Sequence, residues 1–174
     1  MRRGQRVAWL LLAVWSTWLF ALQGFVAHAA PGGLALGAWT PDLGLALLVA
    51  LGGRAPAGRL RVAALVVGCA RAAASVDPPA ACLAGYLALA PPISAVRAGI
   101  DAERASVRFA LAALAALFLG AWLVLAAASA RTGAPRFDWP PGLVAHALST
   151  GFAAILLGPA LARLPGLRPL REGR

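Results

Sequence analysis

The chain has 174 residues, of which 61% are hydrophobic and only 13% charged. A soluble domain carries about 25% charged residues, so this balance excludes an ordinary water-soluble fold and indicates an integral membrane protein of one domain, residues 1–174. The net charge of +10 comes from arginine without any lysine; the arginines fall in short groups between apolar segments, not on a basic face interleaved with aromatics. That placement argues against nucleic acid as a partner and for charges that orient the chain in a bilayer.

Arg2, Arg3 and Arg6 precede the first apolar run, 7–27. The run is longer than a signal-peptide core of roughly 7–15 residues, so it is read as an uncleaved first transmembrane helix. Trp9 suits an interface position. Trp15 and Trp18, three apart, share a face expected to pack, and Gln23 falls near the far end. Pro31-Gly32-Gly33 then reads as a turn. The second segment has two readings. Hydropathy runs it over 34–51 with Asp42 near the middle. Capping chemistry starts a helix at Thr40-Pro41-Asp42, with Thr as cap, Pro at the first position and Asp facing the positive dipole end. The second reading, which we favour, leaves about 11 apolar residues, too few to span alone.

After a connector bearing Arg54, Arg59 and Arg61, the third segment covers 62–76, roughly 22 Å if helical, with Arg71 in its body. It ends at a break, Asp77-Pro78-Pro79. The fourth segment, 80–96, contains Pro91-Pro92, which remove two donors and predict a kink or an early end. A mixed-charge connector with Asp101 and Glu103 leads to the fifth segment, 109–130, uniform and rich in Ala and Leu. Phe137 and Trp139 in the next loop suit the outer interface. The sixth segment, 142–161, holds His146, Ser149 and Thr150, with a bend expected at Gly158-Pro159. Arg163, Arg168, Arg171 and Arg174 follow as a basic tail.

Thirteen arginines fall in the N-terminus, the second and fourth connectors and the tail, against two, Arg131 and Arg136, on the opposite side. This asymmetry predicts six transmembrane segments with both ends cytoplasmic. The fold class is therefore all-α, a polytopic membrane helix bundle.

Arg71 is the costliest residue at membrane depth, at about 2.5–3.5 kcal/mol for a central arginine on insertion scales. It either snorkels outward or joins a polar cluster. On the six-segment topology Gln23, Asp42, Arg71 and His146 all fall within about 6–12 Å of the outer helix ends, which makes an Asp42–Arg71 ion pair available. Cys69 and Cys82 read as small apolar helix residues. His146 and Ser149 share a helix face, but a Ser–His hydrolase also needs an orienting acid and an oxyanion hole, and no such set is visible. Neither metal-ligand spacing nor a Gly-rich phosphate loop occurs, so no enzyme activity and no cofactor are expected.

Pro41-Asp42-Leu43, the basic connector, Gly68, the break at 75–79 leading to Tyr86, and Gly158-Pro159 near the end of the last helix together resemble the rod shape-determining MreD family. That family usually places an acidic residue in its third segment soon after the glycine; here Arg71 stands near that place and the acid follows later, as Asp77. The resemblance implies a non-enzymatic scaffold of the bacterial inner membrane. Its partners would be an MreC-like single-span protein and, in the cell-elongation machinery, a RodA-like glycosyltransferase, a penicillin-binding transpeptidase and MreB, in support of peptidoglycan synthesis. The family's bundle is also similar to the S-component of energy-coupling-factor transporters, which gives an alternative expectation, a vitamin-binding membrane subunit.

Overall fold

A computed structural model describes residues 3–29, 39–99, 104–129 and 142–171. Among these the regular structure is entirely helical, in the order α1 (Arg3–Ala29), α2 (Leu43–Gly52), α3 (Ala57–Ala74), α4 (Pro79–Gly99), α5 (Ala105–Ser129), α6 (Leu143–Leu156), α7 (Gly158–Ala162) and α8 (Arg168–Arg171). The stretches within α1, α4 and α5 named Gly4–Ala27, Pro79–Val96 and Ala105–Ser129 are long and apolar enough to cross a membrane. By length and composition this is a helical membrane protein. α2 and α6, with 10 and 14 residues, are shorter apolar helices, and α3 carries Arg59, Arg61 and Arg71 along its 18 residues.

The short helix α2 is the axis of the fold. All ten of its residues are buried, and it touches α1, α3, α4, α5, α6 and α7. This explains why its sequence, LGLALLVALG, has no polar face: a helix enclosed on every side is apolar all round. Its length, about 15 Å, is half the hydrocarbon thickness of about 30 Å. Around it, α3 and α4 form one tight pair, and α5 and α6 another. Glycines lie at two of the close approaches. A Cβ on Gly44 would strike the Phe20 ring of α1, and one on Gly68 would lie 3.4 Å from the Leu83 backbone of α4.

Several boundaries and one helix face differ from those expected of the sequence. α2 begins at Leu43 with Asp42 as its N-cap, so Pro41 precedes the cap and does not fill the first helical position. Asp42 takes over because its carboxylate accepts the Leu45 N–H at 2.8 Å, the third-residue donor that an N-cap side chain satisfies. α3 starts at Ala57, five residues before the expected 62, and takes Arg59 and Arg61 into its first turns. α4 runs unbroken through Pro91 and Pro92 to Gly99. The lost donors there would have served Leu87 and Ala88, both on the exposed side of the helix, and Ser94 Oγ donates to the Pro91 carbonyl at 2.8 Å. Trp15 packs against the core, but Trp18 points outward, 65% exposed.

The expected break at Asp77-Pro78-Pro79 is a short link in which Ser75 ends α3 in extended geometry and Pro79 opens α4. At Gly158-Pro159 the last long helix divides: α6 stops at Leu156, and the two residues form the first turn of α7. The turn at 31–33, the interfacial Phe137 and Trp139, and Asp101 and Glu103 lie outside the described residues.

Candidate functional site

Four helices, α1, α3, α4 and α6, converge on the start of α2. Asp42, only 1% exposed, holds them together because both carboxylate oxygens and its own N–H have partners. Oδ1 caps α2 through Leu45 and also accepts from the Tyr86 hydroxyl of α4, at 2.9 Å. The same hydroxyl lies 2.9 Å from Oδ2, so its single proton is shared across the carboxylate. Arg71 of α3 donates through Nη1 to Oδ2 at 3.4 Å. The Asp42 N–H donates to Thr150 Oγ1 of α6 at 2.9 Å, and that hydroxyl passes its proton to the His146 carbonyl at 2.8 Å. From α1, Gln23 Oε1 accepts the Leu43 N–H at 3.4 Å. These bonds answer the orphaned donors of a buried helix start, which in a low-dielectric interior would each cost free energy unmade.

The four residues expected to lie at similar depth do come to one place. His146 joins by a different route from the carboxylate: its Nδ1 sits 2.7 Å from the Thr40 carbonyl. A carbonyl can only accept, so the proton is on Nδ1. Arg71 is bracketed by two acids, since its Nη2 donates to Asp77 Oδ2 at 3.4 Å. Its guanidinium also lies over the Phe20 ring, 5.7 Å from the centroid, a favourable position for a cation on an aromatic face. A buried charge is tolerated when paired and hydrogen-bonded, and at 19% side-chain exposure Arg71 reaches the edge of the bundle while Asp42 stays inside.

Tyr86 and Thr150 were not expected at this site, although Tyr86 makes the closest side-chain contacts to Asp42. The signal was present: the sequence has one tyrosine, it falls in an apolar helix, and a buried phenol usually requires a partner. Thr150 was hidden because a helical threonine can satisfy its hydroxyl on its own backbone. Ser149 does that, donating to the His146 carbonyl at 2.9 Å, so it makes no bond to the imidazole.

A cavity of about 310 Å³ opens beside the network, lined by Phe20, Gln23, Thr40, Arg71, Ser75 and His146 among others. Its size is at the lower limit of roughly 300–1,000 Å³ for small-molecule pockets. Cys82 is buried behind it, its Sγ 3.9 Å from Ser75 Oγ, whereas Cys69 is exposed. Among the described residues no three His, Cys, Asp or Glu side chains converge as a metal-ligand set.

Fold and site thus define a helical membrane protein with a buried, ion-paired polar centre at one end of its central helix. No protein-family model matches the chain, and neither a curated protein nor a solved structure matches it significantly.

Proposed function

We propose that the protein is a non-enzymatic scaffold of the MreD type. It would be a six-segment bundle in the bacterial inner membrane, with both termini cytoplasmic and an S-component-like fold, that binds an MreC-like single-span partner to support peptidoglycan synthesis during cell elongation. The observation that carries this reading is the internal use of the polar centre. Asp42 spends both oxygens and its N–H on α2, α3, α4 and α6, as a residue does when it fixes helix positions. A carboxylate occupied in this way is a poor general base, and Ser149 is turned to the backbone. The outward faces are apolar: Val7, Leu10, Val14, Trp18, Leu22 and Phe25 make an exposed stripe along α1, suited to lipid or a partner helix. The arginine asymmetry of thirteen to two supports the cytoplasmic placement of both ends.

The test is purification of the full chain in mild detergent, together with depletion in its host. The reading expects a coiled-coil, single-span membrane protein to co-purify and depleted cells to lose their shape. Normal shape on depletion, with no such partner, would overturn it.

The cavity beside Arg71 favours one alternative, an S-component-like subunit that binds a vitamin. It offers convergent polar groups, Gln23, Arg71 and His146, with one aromatic wall, Phe20, as an oriented small-molecule site does. Stoichiometric, saturable binding of one water-soluble vitamin, abolished by Arg71→Leu, would establish the alternative over the scaffold.

A further inference from the structure

Two apolar faces of this chain, each without a neighbour in the fold, match one another. The first is a ridge on α1, formed by Leu10, Val14, Trp18 and Leu22, the i±4 row that packs into the groove of a facing helix. All four are exposed, between 41% and 69%, and α1 packs elsewhere, on α2, α3 and α8. The second is a groove of about 370 Å³ between α4 and α5, with Ala88, Pro92 and Val96 on one side and Leu114 and Phe118 on the other; its described lining side chains are all apolar. We infer that the groove is where a second copy of this chain docks, through its α1 ridge.

Depth is the first argument. The Asp42 centre lies toward the same end of both helices, since Gln23 near the close of α1 accepts from Leu43 and Tyr86 near the opening of α4 donates to Asp42. Counted from that end of the apolar stretches Gly4–Ala27 and Pro79–Val96, Trp18, Val14 and Leu10 stand 9, 13 and 17 residues in, and so do Ala88, Pro92 and Val96. Two copies inserted in the same direction therefore bring ridge and groove to one level, to within about one helical turn of 5.4 Å, with α1 running antiparallel to α4. Hydrogen bonding is the second argument. Pro91 and Pro92 have no N–H for the carbonyls of Leu87 and Ala88, which lie on the exposed side of α4, and the nearby Ser94 hydroxyl donates to the Pro91 carbonyl instead. At that depth no water serves the two acceptors. Trp18 brings the missing donor. It stands about 14 Å from the same end, deeper than the interfacial belt where indoles usually sit, and among the described residues its N–H has no partner. An acyl chain would fill the groove but carries no donor, so lipid does not complete it. Ridge and groove are different surfaces, so the contact is heterologous and builds rings or chains, not a closed dimer. The inference stands apart from the scaffold reading, because it uses neither the single-span partner nor the chemistry of the Asp42 centre.

The experiment uses the full chain, labelled at its N-terminus with a donor or an acceptor dye, in vesicles of phosphatidylcholine and phosphatidylglycerol. Energy transfer between copies is followed as added lipid dilutes the protein. Wild type should show transfer that falls reversibly on dilution, with assemblies larger than two at high protein density. Trp18→Phe keeps a ring and loses the N–H, so it should weaken association about threefold, what an average interhelical hydrogen bond in a membrane gives. Trp18→Ala, which removes the centre of the ridge, should weaken it at least about tenfold. Ala88→Leu, which fills the groove from an exposed position, should do the same. Val144→Ala, 60% exposed on α6 and outside both faces, should change it less than twofold. The deciding step mixes the two weak variants. The Trp18→Ala chain keeps its groove and the Ala88→Leu chain keeps its ridge, so together they should form a dimer of near wild-type affinity that grows no further, which also shows that both are folded. A mixture that fails to associate, transfer that neither ridge nor groove changes affect, or a wild type that stays monomeric at high protein density would overturn the inference. A single-span protein that co-purifies without such self-association would support the scaffold reading and overturn this one.

Discussion

Asp42 shows how one side chain can be both a helix cap and a junction between helices. Its carboxylate serves donors from α2, α3 and α4, and the shortest of these are Leu45 and Tyr86, not the cation. Removing the phenolic hydroxyl by Tyr86→Phe leaves the carboxylate short of a donor while preserving the ring volume. A hydrogen bond to a charged group contributes about 1.5–3 kcal/mol in soluble proteins, and interhelical bonds in membranes average about 0.6 kcal/mol. Tyr86→Phe should therefore cost about 1–2 kcal/mol, read as a lowered unfolding midpoint in detergent. The ion pair makes a separate prediction. Asp42→Asn should be the more harmful single change, because Arg71→Leu leaves Asp42 with Tyr86 and the Leu45 N–H, whereas Asn cannot replace a carboxylate that faces three donors. The double change should be less harmful than the sum of the two, with a coupling of about 0.5–2 kcal/mol in a double-mutant cycle. Additivity within about 0.3 kcal/mol would mean that the 3.4 Å contact carries no energy.

At the scale of elements, the centre of the fold is α2, not the charged hairpin of α3 and α4. The hairpin attracts attention in the sequence because Arg71 and the Asp77-Pro78-Pro79 break are conspicuous there. α2 is quiet because a helix enclosed on all sides needs only apolar residues of fitting size. The common depth of Gln23, Asp42, Arg71 and His146 was legible, since arginine placement and a rise of about 1.5 Å per residue fix depth. Rotation about each helix axis was not, because that depends on which face packs, and the long helices are apolar on nearly every face. Hence the sequence does not place Tyr86 and Thr150 beside Asp42. For the same reason Pro91-Pro92 misled: proline chemistry predicts lost donors, but whether the helix continues is decided by packing on either side. The α3–α4 approach yields a prediction of its own. A Cβ at Gly68 would meet Leu83 and Tyr86 at ordinary contact distance, 3.4 Å, so Gly68→Ala should change stability by less than about 0.5 kcal/mol as better helix propensity offsets slight crowding. Gly68→Leu has no such room and should cost about 1–3 kcal/mol by overpacking. Because it would push Tyr86 away from Asp42, its effect should be smaller in a Tyr86→Phe background. Equal costs in both backgrounds would separate the glycine from the polar centre.

For the molecule as a whole, the closing segment makes the bundle more than a set of hairpins. Read from the sequence, the residues after Leu161 are a basic tail that sets orientation. In the fold they return to the first helix: Leu167 and Leu170 are buried, Trp15 Nε1 of α1 donates to the Pro165 carbonyl at 3.3 Å, and Arg59 of α3 donates through Nη1 to the Pro169 carbonyl at 2.7 Å. The closing segment is thus tied to both α1 and α3. Gly166 is the pivot, for two independent reasons. Its φ of +81° lies in the left-handed region that favours glycine, and a Cβ there would overlap Leu11. Gly166→Val meets both the backbone and the packing penalty, each about 1–3 kcal/mol, and the segment beyond it is the part that gives way, since α8 packs on α1 and only Leu167 and Leu170 tie it into the core that surrounds α2. The expected outcome is local release of residues 167–171 with the bundle intact. In limited proteolysis of the full chain, tryptic cleavage after Arg163 and Arg171 should accelerate at least about 30-fold, the change in open population produced by about 2 kcal/mol, the smallest sum of the two penalties. The unfolding midpoint of the remaining bundle should fall as well, because Leu167 and Leu170 leave the core. Arg59→Gln, which removes a single tether, should accelerate the same cleavages by a smaller factor, and the two changes together should gain little over Gly166→Val alone, because a released segment has no further use for Arg59. A fully additive pair would mean that the carbonyl contact and the glycine pivot hold different structures.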